Sequence, residues 1–189
     1  RDKARAVNAD ILIAIGAGSV IQGARVAAIL LAEKEPVEKL ITQYPPGMPA
    51  ISPKLMAPKL PIINIVTVGS SAQNRAGSPV KAAAGRRMEF FDPKTRPVAL
   101  FWDNDALLTA PVSMVCASGG AIYWRAIMNM GYTRATPLAD FNRRQVFDIV
   151  SNALPRLKDP RDVAARNDLC VATFLQNREV DDGGAAVRH

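Results

Sequence analysis

The stretch Asp10–Glu33, DILIAIGAGSVIQGARVAAILLAE, constrains this chain more than any other. Ile11, Leu12, Ile13, Ala14 and Ile15 form a short apolar run, the pattern of a strand buried on both faces. Gly16-Ala17-Gly18-Ser19 follows as a turn of small residues. Val20, Ala24, Ala27, Ala28 and Leu31 then recur at helical spacing. Strand, glycine turn and helix together bring free backbone N–H groups and a positive helix end beside an anion. Ser19 is placed to cap the helix and to offer a hydroxyl to a phosphate. A plain tight turn would use the same residues. The dinucleotide fingerprint needs a glycine where Ile21 stands. The P-loop pattern holds from Gly18 to Gly23 but then meets Ala24-Arg25 instead of Lys-Ser/Thr.

The rest of the chain sets the class. At 189 residues and 49% hydrophobic it can bury a sizeable core, as one domain or two small ones. Cys116 and Cys170 stand far apart with no CxxC partner, so neither a disulfide framework nor a cysteine metal site is indicated, and a reducing compartment is expected. A formal net charge of +7 would suit a polyanion. The basic residues are scattered, however, with only Arg86-Arg87 and Arg143-Arg144 adjacent, and 6% aromatic residues offer few stacking platforms. Nucleic acid is therefore not the expected partner. The basic start Arg1-Asp2-Lys3-Ala4-Arg5 has no methionine before it, so preceding residues are expected. It does not read as a secretory signal, because Asp10 precedes the apolar run and no cleavage site closes it. Gln22 and Arg25 interrupt the run too early for a membrane span. A soluble, cytoplasmic protein is expected.

Along the chain, the prolines from Pro36 to Pro61 predict an irregular surface loop. Leu60–Val68 (LPIINIVTV) reads as a second buried strand ending at Gly69-Ser70-Ser71. Ala82–Arg87 reads as a mobile turn, Met88–Phe91 as a short strand and Arg96–Asp103 as another. Beyond a boundary placed close to Asp105 the pattern turns helical. One helix is predicted over Val112–Met130 and stopped by Gly131. A second is capped by Thr136 with Pro137 at its first position and runs to Leu154. A third opens at Asp159-Pro160-Arg161-Asp162 and runs to about Arg178. Val180–Gly184 is a loop. Strands and helices that alternate early, followed by helices alone, predict an α/β nucleotide-binding domain over 1–105 and an all-α domain over 106–189.

NADILIAIGAGSVIQGARVAAIL resembles the Gly-Gly-Gly-Ser segment of the iron-containing alcohol dehydrogenase family, which includes glycerol dehydrogenases and maleylacetate reductases. Here Ala17 replaces the middle glycine, Gln22 the usual acidic residue and Arg25 the usual lysine. The resemblance implies a Rossmann-like parallel-sheet domain joined to an all-α domain, a dehydroquinate synthase-like architecture from which the first strands and last helices are missing. It implies that Gly16, Ala17, Gly18 and Ser19 cradle the pyrophosphate of NAD or NADP. Val66-Thr67-Val68-Gly69-Ser70-Ser71 is similar to the family's Thr-Thr-Ala-Gly-Thr turn near the nicotinamide, which carries Thr67 and Ser70 over as cofactor contacts. Arg96–Asp103 and Ala110-Pro111 resemble the family's RPxxAIVD strand and the Leu-Pro that opens its second domain.

The family's metal ligands are an Asp and a His four apart on one helix, with a third from a later helix. The aligned stretch Ala117–Met128 places Ala121 at the Asp position and Arg125 at the His position, and His189 at the third. His189 is the only histidine, so the usual iron or zinc site is not expected to assemble. Without a metal to polarise the carbonyl, some other cation must serve. Arg125 is the candidate, able to neutralise a carboxylate or steady an alkoxide. It would equally serve by reaching solvent or Asp140. Two readings stay open. One is an NAD(P)-dependent reductase or dehydrogenase acting on an alcohol, aldehyde or keto acid, with a homodimer as the assembly to test for. The other is an inactive relative that binds a nucleotide or a partner subunit. Hydrolase chemistry needs a histidine partner that the chain does not place.

Overall fold

The computed structural model describes residues 2–82, 85–130 and 135–179, and divides into two compact units, Arg1–Ile65 with Asn74–Phe101, and Val66–Gln73 with Trp102–His189.

The first unit holds a short helix α1 (Asp2–Ala6), strand β1 (Leu12–Gly16), helix α2 (Gly18–Ala32), the single turn α3 (Val37–Leu40), and strands β2 (Ile62–Val66, whose last residue groups with the other unit), β3 (Gly77–Lys81), β4 (Arg87–Phe91) and β5 (Ala99–Phe101). β2 is central in a three-stranded sheet ordered β1-β2-β5. It runs parallel to β5, with Ile63 opposite Ala99 and Ile65 opposite Phe101. β3 and β4 form an antiparallel hairpin. β2 is covered as its unbroken apolar run predicts, with Ile62, Asn64 and Val66 buried. β1 departs from expectation. Ala14 is buried, but Ile11, Ile13 and Ile15 are exposed, the last two at 58% and 61%. The inner side chains of β1 are covered and its outer ones are bare.

α2 also buries a different face from the one its aliphatic spacing predicts. Ile21, Arg25, Ala28 and Ile29 are inside, whereas Val20 is 49% exposed. The period is right and the phase is shifted by one residue, because Arg25 belongs to the buried stripe. The proline-rich segment is only partly irregular. It forms α3 and two isolated bridges, Ile41 to Phe90 and Gln43 to Ile51. It also delivers Leu40, Ile41 and Leu55 to a core shared with Ile29 and Phe90. Burying a large aliphatic side chain contributes about 1.5–3 kcal/mol, which holds such a segment down without regular structure.

Beneath it, Lys59 is fully buried between Glu33 at 2.7 Å and Asp92 at 3.0 Å. Burial pushes the Asp92 carboxyl up, but the Lys94 amide and the Lys59 and Lys94 ammonium groups outweigh this and hold it below the ordinary range. β3 was not foreseen, because Gly77 and Pro79 are residue types depleted in strands. Pro79 is tolerated because the hairpin has only two strands. Its connection includes Ala82 N–H donating to Arg86 O and Gly85 N–H to Ala82 O, at 2.9 and 2.8 Å. Residues 83–84 of the expected mobile turn lie outside the described residues.

The second unit is helical. It comprises α4 (Asn104–Leu108), α5 (Val112–Asn129), α6 (Pro137–Arg156) and α7 (Val163–Arg178). Thr136 caps α6 as predicted, its hydroxyl accepting from Ala139 N–H. α6 continues through Pro155 to Arg156, where the last turn tolerates the proline. α7 starts later than its Asp159-Pro160 signal suggests. Asp162 is the cap, accepting from Ala165 N–H at 2.8 Å while Arg156 holds both its oxygens. Gly119 lets α5 approach closely, since a Cβ there would meet Leu154 Cδ2 at 2.7 Å. Val115 and Ile122 pack inward with Val146, Val150, Leu169 and Ala172. Arg143 is buried against Glu179 at 2.5 Å. The expected stop at Gly131 and loop at Val180–Gly184 lie outside the described residues. Among the described residues no helix is long and apolar enough to cross a membrane.

Candidate functional site

The turn after β1 is built for a close backbone approach. Gly16 adopts φ +154°, and a Cβ there would meet Val20 Cγ2 at 2.8 Å. The cap of α2 is Ala17, in extended conformation, and not Ser19, which lies exposed inside the first turn. Ala17 has no side-chain oxygen, so no side chain caps the helix, and no acid stands in its first turn. Val20 and Ile21 N–H return to Ala17 O at 3.0 and 3.3 Å. Gly18 and Ser19 hold the preceding amides, which have no earlier carbonyl within the helix. A helix of 15 residues thus presents its positive end without compensation. That arrangement suits an anion.

Arg25 turns inward. Nη1 donates to Gly77 O at 3.0 Å, whereas Nε and Nη2 make no hydrogen bond. Burial, and then the charges of Arg75 and Arg96, lower its pKa to about 10.

Thr67 and Ser70 sit on the segment Val66–Gln73, which belongs to the helical unit, whereas Gly16–Ser19 belong to the other. This turn is held throughout. Ser118 of α5 donates to Gly69 O at 2.5 Å, and Asn177 of α7 donates to Ser71 O at 3.1 Å. Gln73 donates to Cys170 O and accepts from the Trp102 indole. Gly69 has no room for a side chain, because a Cβ would meet Leu169 O at 2.8 Å. Thr67 is half-buried, and the Ser70 hydroxyl is buried without a hydrogen-bond partner. Ser118, Gln73 and Asn177 were not foreseen. They lie 49, 97 and 106 residues from their partners, and no local pattern signals such contacts.

Ser118 also ties this turn to the helix that carries Ala121 and Arg125. Ala121 is exposed and offers no donor atom. Arg125 is half-buried and makes no hydrogen bond or ion pair among the described residues. Asp140, the alternative partner, pairs with Arg144 at 3.1 Å. His189 lies outside the described residues. Among those that are described, no group of three His, Cys, Asp or Glu side chains could hold a metal. Neither the Ala121 methyl nor the Arg125 guanidinium is a metal ligand.

Comparison with known proteins identifies relatives of the fold. Over 183 residues the chain is 21% identical to the probable alcohol dehydrogenase EutG of Salmonella typhimurium, covering 95% of this chain and 44% of that one. Its fold is similar to the iron-containing alcohol dehydrogenase from Thermococcus thioreducens, with a TM-score of 0.79 and 22% identity, covering 94% of this chain and 46% of that one. It is also similar to the sulfoacetaldehyde reductase from Bifidobacterium kashiwanohense in complex with NAD+, with a TM-score of 0.76 and 18% identity, again over 94% and 46%. The chain therefore spans about half the length of these relatives. Residues 1–104 match the sequence model described as iron-containing alcohol dehydrogenase, and the chain belongs to that family.

Proposed function

We propose that the chain serves as the nucleotide-binding part of an NAD(P)-dependent oxidoreductase that interconverts an alcohol with an aldehyde or keto acid, without the family's usual metal at positions 121 and 125. The observation that carries this reading is the uncapped, acid-free N-terminus of α2 behind Gly16 and Ala17. The Gly18 and Ser19 amides hold the pyrophosphate, with Thr67 and Ser70 as further cofactor contacts. When bound, a nicotinamide cofactor supplies or accepts the hydride. Arg125 supplies the positive charge that steadies a carboxylate or a developing alkoxide. The domain assignment, 1–105 for the cofactor and 106–189 for the helical part, a cytoplasmic setting and a homodimer complete the reading.

The chemistry at 121 and 125 also favours a second reading, an inactive relative that keeps only nucleotide or subunit binding. NADH titration followed by fluorescence of Trp102 and Trp124 tests the shared part. Gly18→Val is expected to abolish binding, and unchanged affinity would remove the cofactor assignment. Turnover of NADH with an aldehyde or keto acid separates the readings. If the enzyme is active, Arg125→Met is expected to lower turnover about 10²–10³-fold, and an unchanged rate ends the role given to Arg125.

A further inference from the structure

The helical unit contains a second place suited to an anion, separate from the residues above. An open depression of about 730 Å³ lies where α4 ends and α5 begins, lined by Leu108, Thr109, Val112, Arg161 and Arg166 among others, none of them acidic. α5 is 18 residues long and starts behind Pro111 with no side-chain cap and no acid in its first turn. Met114 and Val115 N–H both return to Pro111 O, so the preceding amides of Val112 and Ser113 have no earlier carbonyl within the helix.

The independent observation is Arg166. It is 3% exposed, and its Nη atoms donate to the carbonyls of Leu107, Ala110 and Pro160 at 2.6–2.9 Å. Its Nε has no hydrogen-bond partner, and no carboxylate pairs with it among the described residues. Arg143, the other buried arginine of this unit, is instead neutralised by Glu179. A buried guanidinium served only by carbonyls has no counter-ion in a poorly solvated place. The nearby acids are engaged elsewhere, Asp162 by Arg156 and the Ala165 amide, and Asp159 by the Arg161 amide. The Arg161 side chain is exposed and makes no bond among the described residues.

We propose that this depression binds the phosphate group of a small ligand. The Val112 and Ser113 amides and the Arg161 guanidinium together supply several N–H donors, which suits a tetrahedral group with several acceptor oxygens. Arg166, which also lines the depression, supplies positive charge, and Leu108 and Val112 offer apolar surface to whatever the phosphate is attached to.

The test follows the amide signals of Val112 and Ser113 in the ¹⁵N-labelled protein, titrated with inorganic phosphate and with phenyl phosphate at constant ionic strength. Saturable shifts are expected with one or both. Tighter binding of the ester marks a phosphate monoester as the ligand, and equal binding marks free phosphate. Arg161→Glu reverses the exposed charge, and Val112→Pro deletes one amide at a position where proline suits a helix. Each is expected to weaken binding about tenfold or more. Arg166 is left in place because it holds three carbonyls. No shift with either probe overturns the proposal, and so does binding that survives either substitution unchanged.

Discussion

At the end of β1 the chain turns through Gly16 and Ala17 with no side chain holding the helix that follows. At the end of β2 it turns through Val66–Gln73, with Ser118 and Asn177 gripping two of its carbonyls and Gln73 tied to Cys170 and Trp102. Both are strand ends followed by small residues, and in sequence they look alike. The first offers backbone donors that no side chain caps, and the second gives its backbone acceptors to the protein itself. The glycines follow suit. A Cβ on Gly16 would crowd the Val20 side chain, whereas one on Gly69 would meet the backbone of Leu169 and Cys170.

The contrast is broken most severely at Gly69. Gly69→Val is expected to cost about 3 kcal/mol, because helix backbone cannot step aside. Urea unfolding monitored by circular dichroism measures it, and a loss below about 1 kcal/mol would show that the turn is not packed as described. Gly16→Val comes next, at about 2 kcal/mol, from a left-handed φ and the crowding of Val20. Unlike Gly69→Val, it is expected to weaken NADH binding even at temperatures where the variant remains folded, and equal affinity would unlink the turn from the cofactor.

These two sites also show how far the residues alone could be read. β1, the glycine turn and α2 were legible because an apolar run, small residues and a 3.6-residue period follow one another directly. The start of α6 was legible because Thr136 and Pro137 act on their immediate neighbours. The buried face of α2 was not, since reading aliphatic residues alone discards Arg25. The cap at Ala17 was missed because serine is the better capping residue and stands two positions later. The bare outer side of β1 could not be foreseen, because an apolar run says that a face should be covered and not what covers it. The fixing of Val66–Gln73 depends on residues from 118 to 177, beyond the reach of local pattern.

Two smaller effects sharpen the comparison. Ser118→Ala removes the donor to Gly69 O and is expected to cost about 1 kcal/mol, with α5 and α7 otherwise unchanged. Ala17→Asp should act in the opposite direction, adding the missing cap and stabilising α2 by about 1 kcal/mol. The same carboxylate sits where the anion is proposed to bind, so NADH affinity is expected to fall about tenfold as stability rises. A variant that gains stability and keeps its affinity would place the pyrophosphate elsewhere.

The grouping of Val66–Gln73 with the helices has a consequence for the order of events on the ribosome. Ser71 is synthesised early but cannot meet Asn177 until 106 further residues have been made. At about 5–20 residues per second that is a wait on the order of 10 s. During this interval β2 can begin to pair, and Trp102 and Ser118 can reach the turn, while the Ser71 carbonyl still waits for Asn177. A fragment cut between Phe101 and Trp102 would make the wait permanent, leaving Trp102, Ser118, Cys170 and Asn177 without the segment they hold. The two units are thus interleaved along the polypeptide, and the helical one completes only when its earliest piece has been retrieved.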